Sequence, residues 1–118
     1  MNILSLIKEI EQNKLEPEKL IQCLDIPQNF VLSNAIKQIV KLKLDGNEVV
    51  DKLSKLSVLT QKENQLIGIY TVGHLALAAL KKMDSSIAKE KYKELVSKIN
   101  EWDKDCVEKL IENNAFDL

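Results

Sequence analysis

Arginine is missing from this chain: all 17 of its basic residues are lysines. That removes the planar fork which grips phosphates and guanine edges at two points. The lysines are matched by 18 acids, giving a formal net charge of −1 and a pI near 5.9. A chain this close to neutrality lacks the electrostatic footprint of sequence-independent nucleic-acid binding, and of attraction to an anionic membrane surface. Glycine and proline are scarce, at three and two residues, so there is little turn material for a many-stranded fold. Aromatic residues make up only 4%, and the core must come from leucine, isoleucine, valine and alanine. One histidine and two distant cysteines cannot assemble a familiar zinc set. Glycine-rich phosphate loops, a calcium loop and a Gly-x-Ser-x-Gly elbow are absent as well. These gaps point away from an enzyme, and neither a cofactor nor a metal is expected.

The longest apolar run, Leu66 to Leu80, is too short and too interrupted for a membrane span of roughly 20 residues. The segment from Met1 to Ile7 has no basic lead-in, and Lys8, Glu9 and Glu11 follow at once, so it is not read as a secretion signal. A cytoplasmic location is therefore expected. Cys23 and Cys106 sit in apolar helical stripes, which suits reduced, buried thiols, with a disulfide as the alternative.

What the chain does contain is helical periodicity. Its 118 residues suit a single helical domain, 1–118, and 45% hydrophobic with 30% charged residues is ordinary for a globular protein. Ile3, Leu6, Ile7 and Ile10 predict an amphipathic helix over 2–12, closed by Asn13. Glu16-Pro17-Glu18 opens a short second helix that ends near Asp25. Asp25 or Asn29 caps a third, running to about Leu44 on Leu32, Ala35, Ile36, Ile39 and Val40. Gly46 suits a left-handed stop and Asn47 a restart, followed by a helix over 48–56. Thr60-Gln61-Lys62-Glu63 fits a capping box for a central helix from Thr60 to Met83. The last helical region, 86–113, reads as one long helix or as two with a break near Asn100-Glu101, and residues 114–118 are expected to fray. The expected fold is all-α: about six helices in three antiparallel hairpins, 2–24, 29–56 and 60–113, arranged as a HEAT-like array or an irregular helical bundle.

Two features could carry function. On the expected central helix Glu63, Ile67, Tyr70, His74, Ala78 and Lys81 follow one another along one face. Tyr70 and His74, four apart, form either a ligand-contacting polar pair or an interfacial pair with packed rings. Gly68 and Gly73 lie inside that helix, where each costs about 1 kcal/mol against alanine unless a neighbouring helix approaches closely. On the terminal helix Glu94, Glu101, Asp105, Glu108 and Glu112 fall in one narrow strip, interrupted by Lys98. A solvated face gains by mixing charge signs, and flanking lysines partly supply that here. The strip otherwise reads as an acidic docking surface for a basic partner.

Residues 29–83 resemble a HEAT-type unit, with Val49, Val50 and Leu53 preceding the small-residue-rich Val72, Gly73, Ala76 and Ala79. In its size, its single helical domain, its lysine-rich and arginine-free composition and its acidic strip, the chain is similar to the all-helical, HEAT-like immunity proteins of bacterial contact-dependent or polymorphic toxin systems. That resemblance implies a cationic toxin domain as partner, often a nuclease, neutralised by occupation of its active site. Anchors such as Trp102 or Tyr70 would complete the contact. The alternatives are a helical adaptor or regulatory subunit that binds a partner protein, and a small-molecule-binding bundle using Tyr70 and His74.

Overall fold

The computed structural model describes residues 2–66, 68–113, 115 and 116. Ile67 of the expected polar stripe, Met1 of the N-terminal segment, and Asn114, Asp117 and Leu118 of the tail lie outside the described residues. The fold is all-α, with seven α-helices among the described residues: α1 (Ile3–Glu11), α2 (Pro17–Gln22), α3 (Asn29–Lys41), α4 (Asn47–Leu56), α5 (Val72–Lys82), α6 (Ser86–Val96) and α7 (Glu101–Glu112). Single 3₁₀ turns follow α2 at Cys23–Asp25 and precede α5 at Lys62–Asn64. No described residue forms a strand beyond one isolated antiparallel bridge, Gln65 to Thr71.

The helix limits follow local chemistry. Asn2 starts α1, its side-chain oxygen accepting the Leu4 and Ser5 amides. Asn13 ends it in the left-handed region at φ 55°, as expected of a residue that tolerates this conformation. Pro17 opens α2 at a position where its missing N–H costs nothing. Three expected caps are displaced. Gln28, not Asp25 or Asn29, caps α3 by accepting the Val31 amide at 2.8 Å. Asp25 instead pairs with Lys52, and the Asn29 side-chain amide donates to the Glu63 carbonyl at 2.7 Å. After α3 it is Lys43, at φ 58°, that takes the left-handed position, with Leu44 N–H donating to Ile39 O. Gly46 is extended and serves as the N-cap of α4.

The largest departure is the expected helix over 60–83, of which only Val72–Lys82 is helical. The chain from 57 to 71 folds back as a loop: Gly73 N–H donates to Leu59 O at 2.9 Å and Leu66 N–H to Tyr70 O at 2.8 Å. A continuous helix would hold residues 59 and 73 roughly 20 Å apart. Gly68 turns the loop at φ +63°, so it is a turn residue and not a helix-interior one. The run Ile69-Tyr70-Thr71-Val72 is β-branched or aromatic and favours extended backbone up to the cap.

One hydrophobic core runs through all seven helices, and the radius of gyration is 13.1 Å. Its spine is α5, in which every residue from Val72 to Leu80 is buried. Helix α5 packs against α3, α4, α6 and α7, and α3 also packs on α1. Close contacts thus join both immediate neighbours in the chain, α4 with α5 and α5 with α6, and second neighbours, α1 with α3, α3 with α5 and α5 with α7, around a buried central helix. Gly73 is where the loop crosses α5: a Cβ there would meet Ser57 O at 2.7 Å and Leu59 O at 2.9 Å. The C-terminal segment contributes as well. Phe116, placed by sequence in the fraying tail, is 2% exposed within the core. No helix among the described residues is long and apolar enough to cross a membrane.

Candidate functional site

The region between 86 and 113 is two helices. Asn100 caps α7, its side-chain oxygen accepting the Asp103 amide at 2.7 Å, and this break divides the expected acidic strip. Glu94 stays on α6, bound to Lys91 and Lys98. On α7, Glu101 pairs with Lys104. Glu108 meets Lys81 of α5 at 2.6 Å and accepts the Tyr92 hydroxyl of α6 at 3.3 Å. The Lys81 ammonium also stands 5.5 Å from the Tyr92 ring centroid, so this cluster ties three helices together. The Glu108 hydrogen bond raises Lys81 above its usual range, and burial foremost raises Tyr92. Asp105 and Glu112 are exposed and have no ion-pair partner among the described residues. The acidic face therefore carries less unpaired charge than its sequence suggests.

Tyr70 and His74 do not share a helix face. Tyr70 lies in the loop ahead of α5, whereas His74 is the third residue of α5 and fully buried, at 0% exposure. The capping box expected at Thr60 and Glu63 occurs at Thr71 and His74. Thr71 Oγ1 accepts the His74 amide at 3.3 Å, and His74 Nδ1 accepts the Thr71 amide at 3.2 Å. With Nδ1 accepting, the ring proton lies on Nε2, which donates to Asp103 Oδ1 at 2.7 Å. Both ring nitrogens are thereby occupied, by a backbone amide and by a carboxylate of α7. With no exposed surface, His74 cannot contact a partner. Its place in the expected partner-binding set is withdrawn.

Trp102, next to Asp103 in sequence, stands edge-on to the His74 ring, centroids 5.8 Å apart at 63°. It covers the buried pair from outside and is still 55% exposed. On the helical wheel it borders the side of α7 that carries Glu101, Asp105 and Glu112.

Tyr70 has a different setting. It lines a cleft of about 350 Å³ with Phe30, Ser33, Asn34 and Lys37 of α3, Leu66 of the loop, Leu75 of α5, and Leu110, Asn113 and Ala115 at the C-terminal end. Phe30, Ser33, Asn34 and Lys37 follow the i, i+3, i+4, i+7 stripe of one helix face. That stripe is visible in the sequence, yet the stronger apolar stripe of α3 hides it. Asp103 was also missed. Its spacing from Asp105 rules out a carboxylate dyad, but nothing local announces a histidine 29 residues away. Cys23 and Cys106 are buried free thiols, both held above the usual thiol range, chiefly by burial. Among the described residues no group of three or more histidine, cysteine or acidic side chains could hold a metal ion.

Comparison with family models, with curated proteins and with solved structures gives no match to this chain.

Proposed function

We propose that the chain is a protein-binding module of the immunity type, docking through the outer side of α7 with Trp102 as its anchor. The observation that carries this reading is the position of Trp102, 55% exposed while its inner edge rests on His74. His74 is itself fixed at both nitrogens. An indole held in this way loses little freedom on binding and offers a large apolar area, the character of an interface hot spot. Asp105 and Glu112, with Glu101 beside them, supply negative charge around the anchor and select a cationic surface. A nuclease domain is the toxin chemistry that fits best, because gripping a phosphate backbone requires a lysine- or arginine-rich cleft. An acidic face with an aromatic anchor would compete for such a cleft and block it.

The test is affinity capture from the native host with three baits: the wild-type chain, Trp102→Ala, and the double variant Glu101→Lys with Asp105→Lys. The wild type is expected to retain a cationic protein whose association slows as salt rises. Trp102→Ala is expected to weaken that complex by about 2 kcal/mol or more, and the double charge reversal to abolish capture. Equal retention by all three folded baits would show that α7 is not the docking face. A retained partner without toxin activity would leave the docking face and remove the immunity role.

A further inference from the structure

The cleft beside Tyr70 lies apart from the α7 face, and its chemistry is different. Much of its lining is apolar or aromatic: Leu66, Leu75, Leu110, Phe30 and Tyr70. Three polar groups line it without a hydrogen-bond or ion-pair partner among the described residues. The Ser33 hydroxyl makes no hydrogen bond among the described residues, and since none of their buried side-chain polar atoms lacks a partner, it is open to solvent at the cleft. A serine inside a helix can bond back to the preceding turn, and this one does not. The Tyr70 hydroxyl and the Lys37 ammonium likewise have no partner among the described residues. About 350 Å³ with an apolar lining and a few convergent polar groups is the constitution of a small-molecule site.

We infer that this cleft binds a small amphipathic carboxylate, its apolar body between Phe30 and Tyr70 and its acid at Lys37. The α3 stripe sets the direction and length. Phe30 and Lys37 are seven residues apart on one helix, about 10 Å along the axis, which matches an extended carboxylic acid of about eight carbons. Lys37 is the cationic side chain among the described lining residues, none of which is an acid; Glu11 of α1 lines an adjoining hollow that Lys37 also borders. Ser33, one turn nearer Phe30, can donate its hydroxyl proton to the same head group. Asn34 is committed in part, its side-chain amide donating to the Phe30 carbonyl at 2.8 Å.

Octanoate titrated into the full chain and followed by amide NMR and calorimetry tests this. Saturable one-to-one binding is expected, with shifts concentrated at Phe30, Ser33, Lys37, Tyr70 and Leu75. Octanol, with the same body and no charge, is expected to bind more weakly. Lys37→Gln, a half-exposed position that leaves the fold intact by circular dichroism, is expected to weaken octanoate by about tenfold, the loss of one charge-assisted contact, and to leave octanol unchanged. Absence of saturation, shifts scattered over the surface, or equal octanoate affinity in Lys37→Gln would each overturn the assignment. None of these outcomes depends on the α7 face.

Discussion

His74 is bonded at both ring nitrogens inside the core, so its removal strands two groups at once. His74→Leu would leave the Thr71 amide without its acceptor and the Asp103 carboxylate, whose side chain is 16% exposed, without its donor. The penalty for orphaned buried groups exceeds the gain from a larger apolar side chain, and a loss of about 3 kcal/mol in unfolding free energy is expected. Asp103→Asn retains a carbonyl oxygen that can accept from Nε2, and its cost should be nearer 1 kcal/mol. Urea unfolding of the two variants, read from midpoints at unchanged m-value, checks the order. A similar loss in both would mean that the carboxylate charge, and not the paired geometry, holds α5 to α7.

At the scale of elements, the decisive contact is the crossing of the 57–60 loop over the start of α5. Gly73 sits inside a helix, where alanine would ordinarily gain about 1 kcal/mol. Here an added Cβ meets two backbone oxygens below 3 Å and Thr60 Cγ2 at 2.8 Å. Backbone oxygens cannot rotate away, so the clash wins. Gly73→Ala is expected to destabilise by about 2 kcal/mol, measurable by thermal or urea unfolding. Two Thr-x-x-Glu/His boxes compete in this stretch, and sequence chemistry favours the one at Thr60. The later box prevails because Gly68 and the extended run after it break the first helix, while Leu59 must reach Gly73. The glycine at 73 was readable as a close-approach site. What approaches it, a loop rather than a helix, was not. The α6–α7 break was partly readable, since Asn100 is a good cap, and its consequence is that Glu94 leaves the acidic face.

For the molecule as a whole, four buried or paired groups share one direction of shift. Cys23 and Cys106 are raised from 9.0, Tyr92 from 10.0 and Lys81 from 10.5. In the unfolded chain each releases its proton at the lower, ordinary value. The native state therefore holds more protons through the alkaline range, and stability must fall as pH rises. The contribution is fully present below pH 9.0, begins to erode as the unfolded thiols ionise, and is lost further as Tyr92 and Lys81 pass their own values. The melting temperature is expected to be level from pH 7 to just below 9.0 and to decline steadily above it. Substituting both cysteines with alanine should remove the first part of that decline and leave the steeper part above pH 10.0. An unchanged profile in the double variant would rule out the thiols as its source.

Helical class, most helix limits and the buried, reduced cysteines follow from the order of residues, because periodicity and capping act within about four residues. Pro17, Asn13 and Asn100 behave as their chemistry requires wherever they are placed. The pairing of His74 with Asp103, the loop over Gly73, the core position of Phe116 and the cleft between Phe30 and Tyr70 depend on how the helices lie in space. The groups involved are far apart in the chain, and their energies are contact energies that no local pattern contains. α5 was recognisable as the spine from its apolar content. Where it begins, and what its single histidine does, was settled only when α7 and the 57–71 loop packed against it.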